Sequence, residues 1–284
     1  MVRPSLLLLL VGCAERAPED PAEWYDPGTP YQVEEPLSFT DQPYDLPAAS
    51  GQGIGDLLLP AFPQPFGSAV AADAVVSTPC AGWRTTNDLP VTITGVVTVL
   101  PQYYIKSSGC GDAEKFYASY FVEDDTGGVL VLNNSRAAMF DAGDVITMRV
   151  DSVSRSFENN LVYGHELLDV QRLGLPVRYT EKQAAFDATD LGRVRRVTGV
   201  LMGEPDGFGT MYVQPDGVDT TCVPPASDED TSVDCAVLTL STELNRRPIV
   251  LSAGQHVRAT GPVVSSFGYK LVLTRLGQLE ILAD

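Results

Sequence analysis

The chain has 284 residues and a formal net charge of −18. That length is enough for two ordinary domains, each with a core of its own. The excess of acid repels phosphate backbones and anionic lipid head groups at a distance, so it argues against a polyanion as the main partner. The hydrophobic fraction of 44% and the charged fraction of 20% are those of a soluble protein.

The chain begins MVRPSLLLLLVG and continues with Cys13. Arg3 precedes an apolar run from Leu6 to Val11, which is too short to span a bilayer as a helix. The stretch Leu10-Val11-Gly12-Cys13 resembles the lipobox of bacterial lipoprotein signals, which are cut before the cysteine.

This resemblance implies a signal peptide over residues 1–12 and acyl chains, such as palmitate, on Cys13. It also implies a lipid-anchored protein of the cell envelope. The outer membrane is favoured because Ala14 stands where inner-membrane retention signals usually have Asp. An ordinary secretory signal with a coincidental cysteine is the alternative.

The next segment, residues 13–60, is dense in proline and acid. From residue 14 to residue 60 there are ten acidic residues and a single base, Arg16. Proline removes amide donors and like charges extend a chain, so this composition disfavours a packed core. We predict a flexible tether over residues 13–60.

Beyond the tether, short stretches of sequence occur twice. SFENNLV begins at Ser156 and SFGYKLV at Ser266, while VTITGVV begins at Val91 and RVTGVL at Arg196. GVLVL at residues 128–132 is matched by AVLTL at residues 236–240. Stretches that recur in one order indicate a single unit that was copied and then altered in its loops. We predict a first module over residues 61–175, a linker over 176–191 and a second module over 192–284.

Each copy contains short β-branched runs bounded by turn residues, which predict strands. The predicted strands are 91–99, 117–123, 129–133, 145–153 and 161–170 in the first copy, and 194–202, 209–214, 236–242, 255–264 and 269–282 in the second. A helical turn is expected from Ser135 to Phe140. The linker carries a predicted short helix from Thr180 to Phe186, with Thr180 as its N-cap.

Five strands with a break between the third and the fourth match the strand number and spacing of an OB barrel. The order also resembles OB-like modules of bacterial secreted proteins, some of which are fused to extracellular nucleases. The expected fold is therefore all-β, with two tandem five-stranded OB-like barrels after a disordered N-terminal stalk. Such nuclease-associated modules are accessory parts, so the resemblance carries over no catalytic residue.

The sequence offers little for catalysis. Its two histidines, His165 and His256, occupy non-equivalent places in the two copies, and no Gly-x-Ser-x-Gly stretch accompanies either. We therefore expect no enzyme, no catalytic residue and no cofactor.

Two acid clusters are candidate calcium sites, because hard cations need several converging oxygens. They are Glu123-Asp124-Asp125 and Asp228-Glu229-Asp230 with Asp234. The first is a hairpin turn and lacks the alternating spacing of a dedicated calcium loop. We interpret both as solvated turns and expect no metal.

Four cysteines remain after Cys13, and no pair of them has the CxxC spacing of zinc or redox motifs. Disulfides persist in exported proteins. Because Cys222 and Cys235 flank one polar insertion, we predict that they pair, and that Cys80 pairs with Cys110.

OB barrels usually bind through strands two and three and through the loops after strands one and four. Aromatic and basic residues at those places are candidates for a binding face, since they stack on rings and supply charge. They are Tyr103, Tyr104, Lys106, Tyr117, Arg155 and Phe157 in the first copy, and Phe208, Phe267, Tyr269 and Lys270 in the second. The alternative is that many of these aromatics simply fill the barrels.

Two functional hypotheses follow. The first is a non-enzymatic envelope lipoprotein, held at the membrane by its N-terminal lipid, that presents two OB-like modules to a protein or a glycan. The second is a single-stranded nucleic-acid binder, accessory to an uptake or extracellular nuclease system. We expect the first and no nucleic-acid partner, because a groove for a polynucleotide strand needs several cations and these faces offer few.

Overall fold

The computed structural model describes residues 37–46, 53–57, 89–99, 103–106, 115–132, 140–156, 159–225, 234–241, 244, 250–266 and 268–283. All of them belong to one compact unit, Val33–Asp284. In these described ranges, no helix has both the length and the apolar character needed to cross a membrane.

Two short elements precede the barrels: strand β1 (Phe39–Thr40) and the one-turn helix α1 (Ile54–Leu57). The strands of the first barrel are β2 (Val91–Val97), β3 (Tyr103–Lys106), β4 (Lys115–Glu123), β5 (Gly128–Val131), β6 (Val145–Ser156) and β7 (Asn159–Gln171). The sheet closes because β2 pairs with both β4 and β6, while β5 pairs in parallel with β7. β3 adds to the outer edge of β4.

The linker contains the two-residue strands β8 (Val177–Arg178) and β9 (Thr180–Glu181). The second barrel consists of β10 (Val194–Leu201), β11 (Thr210–Pro215), β12 (Ala236–Leu240), β13 (His256–Ser265) and β14 (Tyr269–Leu273), followed by β15 (Leu279–Ile281). It closes in the same way: β10 pairs with β11 and β13, and β12 pairs in parallel with β14.

Around each barrel the five main strands therefore follow the order one, two, three, five, four and back to one. This is the closed OB order, and the predicted all-β fold class with two OB-like barrels is confirmed. The long predicted last strand is the one that differs most. A 3-10 helix over Leu276–Gln278 divides it into β14 and β15.

Each barrel has its own apolar core. In the first, Tyr120 lies edge-on to Phe140 with 4.7 Å between the ring centroids, among buried residues from all five strands. In the second, Phe186 from the linker and Leu244 from the connection between the third and fourth strands close the interior. Both cores are built from the inward half of alternating strands.

The pairing register corrects the predicted alignment of the third strands. In the first barrel Tyr120 pairs with Val131, and in the second Met211 pairs with Leu238, and all four side chains belong to the two cores. Val131 therefore corresponds to Leu238, one residue away from the match of GVLVL with AVLTL. A slip of one residue exchanges the two faces of a strand, so sequence identity alone misled the alignment.

The same slip separates SFENNLV from SFGYKLV. Val162 lies in the first core, whereas Leu161 points to the other face. In the second barrel Leu271 lies in the core and Val272 points outward. The repeated Leu-Val pair is thus structurally out of phase between the two copies.

Parts of the predicted tether are folded onto the barrels. β1 pairs in parallel with β8, and the hydroxyl of Tyr44 accepts a hydrogen bond from the Arg178 amide at 2.9 Å. Ile54 and Leu57 of α1 are buried in the first core. The expectation of a tether without structure up to residue 60 is therefore corrected for residues 37–46 and 53–57, because a few apolar side chains in this acidic segment find a core to fill.

The predicted linker helix from Thr180 to Phe186 is wrong. Thr180 and Glu181 form β9, which pairs in parallel with Arg195 and Arg196 of β10. The helical turn occurs later, as a 3-10 helix over Ala188–Asp190 with Asp187 as its N-cap. Tertiary pairing has overridden a weak local helix preference. The turn predicted over residues 135–140 lies almost entirely outside the described residues.

Candidate binding face

The corrected register identifies equivalent positions on the outer face of strands two, three and five. Phe121, Leu130 and Leu161 occupy them in the first barrel, and Tyr212, Val237 and Lys270 occupy them in the second. The first set is wholly apolar. The second combines an aromatic ring, a small apolar side chain and a cation.

The second barrel covers this face in the first barrel. Phe121, Leu130 and Leu161 are buried, and they form one apolar cluster with Val264 and Val272 of β13 and β14. At about 25 cal/mol per Å² of apolar surface removed from water, such a cluster holds the two barrels together through the hydrophobic effect. The outer-face positions Phe121, Leu130 and Leu161 of the first barrel are thus covered within the chain.

Polar contacts fix the same junction. The side-chain amide of Asn159 donates to the Ser265 carbonyl at 2.7 Å and accepts from the Ser265 amide at 2.7 Å. Gly128 and Gly192 approach so closely that a Cβ on either one would run into the backbone carbonyl of the other. Gly192 also has a φ of +74°, which favours glycine.

Glu123 lies at this junction with only 2% of its surface exposed. Its Oε2 accepts a hydrogen bond from the amide of Val194, the first residue of β10, at 2.8 Å. Burial raises the pKa of this carboxyl to about 7, and the Val194 amide and the guanidinium groups of Arg193, Arg195 and Arg178 only partly oppose the shift.

The equivalent face of the second barrel is partly exposed, and it is called the open face below. Tyr212, Val237 and Thr239 are each partly exposed on the side of the sheet opposite the core. Beside them, the loop after β10 presents Phe208, whose side chain is 84% exposed. One carboxylate oxygen of Asp206 accepts from the amides of Phe208 and Thr210, at 2.8 and 2.7 Å, and these bonds fix the backbone of the loop.

Lys270 is the cation of the open face. Burial lowers the pKa of its ammonium group, and the carboxylate of Asp206 acts against that shift. The carboxylate that accepts from the Phe208 amide therefore also acts electrostatically on Lys270. The face therefore combines aromatic surface with one cation that has a carboxylate nearby.

The far end of the face is held by the predicted disulfide. Cys222 and Cys235 are bonded, which confirms that prediction. The side chain of Gln214 donates to the Thr220 carbonyl at 3.0 Å and accepts from the Cys222 amide at 2.5 Å, so the loop after β11 is tied to the outer side of that strand.

Several predicted site residues have no described side chain. Tyr103, Tyr104 and Lys106 belong to β3, Tyr117 to β4 and Arg155 to β6, and these are placed by their backbone only. The predictions that involve Phe157, Phe267, Cys13 and the pair Cys80 and Cys110 lie outside the described residues.

Of the predicted candidates with described side chains, the structure brings Phe208 and Lys270 together through Asp206. Tyr269 packs against the second core, as the alternative for strand aromatics expects. Sequence analysis missed Tyr212. The alternation of Met211-Tyr212-Val213-Gln214 would have placed it on the outer face.

The arginines that open the second module have structural partners. Arg195 donates to Asp190 at 2.6 Å, and Arg193 donates to the Thr126 carbonyl. Arg196 donates to the Thr260 hydroxyl at 2.8 Å, and its guanidinium stacks over the Tyr179 ring at 3.5 Å from the centroid.

The acids and histidines are placed in the same way. Asp124 accepts hydrogen bonds from the backbone of its own turn and from Ile54 at 2.8 Å, and Asp125 pairs with Arg178. His256 lies 2.8 Å from Asp216, while burial lowers the pKa of His165 in β7. In the part of the chain that the structure describes, no three His, Cys, Asp or Glu side chains form a metal-binding group. Residues 228–230 lie outside that part.

No protein-family model matches the chain, and no curated protein matches it either. Two solved structures align over much of its length. The tetrameric p202 HIN2 is 11% identical, covers 71% of this chain and 98% of its own, and has a TM-score of 0.31. A deletion mutant of the single-stranded DNA-binding protein from Thermus aquaticus is 13% identical, covers 68% and 93%, and has a TM-score of 0.21. At these scores the strand order, and not the alignments, carries the fold assignment.

Proposed function

We propose that this protein is a non-enzymatic lipoprotein of the cell envelope that contacts a protein or glycan partner through the second barrel. The lipid on Cys13 would anchor the chain, and the paired barrels would present one open face at the end of the acidic segment. The supporting observation is the asymmetry between the barrels. The face of Phe121, Leu130 and Leu161 is buried within the molecule, whereas the equivalent face of the second barrel remains open.

The chemistry of the open face supports such a partner. Tyr212 and Phe208 offer ring surfaces on which a sugar or an apolar side chain can stack. Polar groups at the edges, such as Thr239 and Asp206, can orient a ligand by hydrogen bonds. The partner we favour is uncharged or basic, because the chain carries a formal net charge of −18.

Single-stranded nucleic acid is the second candidate, and the OB fold is what favours it. Against it stand the cations. The carboxylate of Asp206 acts electrostatically on Lys270. Arg193, Arg195 and Arg196 make contacts within the molecule. A strand-binding groove needs several cations available to phosphates.

Fluorescence polarisation with labelled single-stranded oligonucleotides separates the two candidates. We expect no binding tighter than about 1 µM at physiological salt, since non-specific binders lie at about 10⁻⁴ to 10⁻⁶ M there. Tighter binding that weakens in Phe208→Ala, Tyr104→Ala or Phe157→Ala would establish the nucleic-acid function instead.

Site-specific photo-crosslinking in cells tests the partner directly. A photoreactive amino acid in place of Phe208 should give an adduct with a protein or a glycan. The same amino acid in place of Val250, which is 80% exposed but in a different loop, is the matched control and should give none. Equal adducts from both positions, or none from either, would contradict the proposed face.

The anchor is tested by mass spectrometry of the membrane fraction. We expect a mature chain that begins at an acylated Cys13, and a Cys13→Ala variant that no longer partitions with membranes. An unmodified chain that starts elsewhere would remove the lipoprotein part of the proposal and leave the binding face standing.

A further inference from the structure

Glu123 is a carboxyl group at the junction between the barrels, and its burial disfavours its charged form. Its carboxyl has a single described hydrogen bond, from the amide of Val194. It ends β4 in the first barrel, whereas Val194 begins β10 in the second. This bond therefore joins the two barrels directly, next to the approach of Gly128 and Gly192.

The charged groups around Glu123 are largely used by other partners. Arg195 is paired with Asp190, and Arg178 with Asp125. Arg193 donates to the Thr126 carbonyl. Three guanidinium groups therefore surround the carboxyl without forming an ion pair with it, which limits how far they offset the desolvation of its charge.

Tyr44, from the segment before the first barrel, is another neighbour of Glu123. Its hydroxyl is buried and accepts the Arg178 amide. Burial raises the pKa of this phenol, and the charge of Glu123 raises it further, so Tyr44 stays neutral across the physiological range. On Glu123's own strand end, Asp124 and Asp125 add like charge to the same turn.

We propose that Glu123 is a pH-sensitive clasp: in its protonated form it keeps the barrels together, and its ionisation loosens their contact and uncovers the face of Phe121, Leu130 and Leu161. When the junction opens, water would hydrate the carboxylate, which is shielded from water while the junction is closed. The covered face of the first barrel would thereby become available as pH rises.

The sign of the effect follows from linkage. Burial raises the pKa of Glu123 from 4.5 to about 7 in the closed state, and hydration returns it toward 4.5 when the junction opens. The closed state therefore has its full free-energy advantage over the open state below pH 4.5. It loses this advantage as pH rises toward 7, by up to about tenfold in the opening equilibrium per pH unit, because one proton is released.

Amide hydrogen exchange of the full chain, followed by NMR from pH 5 to pH 8, tests this clasp. After correction for the intrinsic exchange rate, protection of the Val194 and Ser265 amides should fall by up to about tenfold per pH unit up to pH 7 and then level off. The Val97 and Leu201 amides, which are hydrogen-bonded within the first and second barrels at 2.9 Å, should not follow that fall.

Glu123→Gln is the matched variant, since it keeps the acceptor and the shape but does not titrate. Protection of Val194 and Ser265 in this variant should be independent of pH. An Asn159→Ala variant weakens the same junction without altering Glu123, so protection of the Val194 amide should be lower at every pH and should keep its pH dependence. The Ser265 amide loses its own acceptor in this variant and is not used as a readout there. The proposal is overturned if wild type and Glu123→Gln change alike with pH, or if Asn159→Ala shows no pH dependence.

Discussion

Gly128 and Gly192 allow the backbones of the two barrels to approach closely, because neither residue has a Cβ. Each occupies the place where a Cβ on the other would need to be, and Gly192 adds a backbone conformation that other residues rarely adopt. Neither feature is visible in the local sequence, because Gly128 reads as an ordinary turn residue between β4 and β5. Its partner lies just before β10, and only the folded chain brings the two together.

Gly192→Ala should destabilise the protein by about 2 to 4 kcal/mol, from backbone strain and from the clash with the Gly128 carbonyl. Chemical denaturation followed by fluorescence gives the free energy of unfolding. Gly203→Ala is the control, since a Cβ there meets nothing within 4 Å and its φ is not positive. Equal losses in the two variants would mean that the approach of the two glycines is not tight.

At the scale of elements, the segment before the first barrel behaves as part of the fold. α1 contributes Ile54 and Leu57 to the first core, and the amides of Ile54 and Gly55 donate to Asp124 and Thr126 at 2.8 Å each. The hairpin turn between β4 and β5, which the sequence offered as a possible calcium site, is thus a receptor for this helix.

Ile54→Ala should lower the free energy of unfolding by about 2 to 5 kcal/mol, the range for a fully buried isoleucine. The exposed Leu168→Ala, at 51% exposure, should cost less than about 0.5 kcal/mol. Thermal unfolding of both variants makes the comparison. If Ile54→Ala unfolds like wild type, the segment is a tether after all.

The strands were predictable from sequence because alternation and turn residues are local signals. Their exact register was not, since Leu161-Val162 and Leu271-Val272 are identical in sequence yet face opposite ways. The failed linker helix has a similar cause, because the pairing of Thr180 with Arg195 is tertiary. The candidate site was predicted in part: Phe208 and Lys270 followed from the loops of an OB barrel, whereas the covering of the first face depends on packing between modules.

In the whole molecule, the outer face of strand five carries an apolar residue in one barrel and a cation in the other. Leu161 is buried against the second barrel, and its equivalent Lys270 is partly exposed. Exchanging these residue types therefore tests the asymmetry on which the proposed function depends.

Leu161→Lys should drive the barrels apart, because an unpaired charge in that apolar cluster costs several kcal/mol, about 2 to 5 after relaxation. Small-angle scattering should show a larger radius of gyration than wild type. The reciprocal Lys270→Leu should leave that radius unchanged, since this side chain is already partly exposed. An unchanged radius in Leu161→Lys would mean that the apolar cluster does not hold the barrels together.

The pairing of β1 with β8 sets an order of events during synthesis. Tyr44 meets Arg178 across 134 residues of chain. At about 5 to 20 residues per second, the ribosome adds that length in roughly 7 to 27 s. Throughout this interval the segment around Tyr44 has left the ribosome without its partner strand β8. Whatever binds or modifies the β1 segment during this interval therefore reaches it before β8 pairs with it.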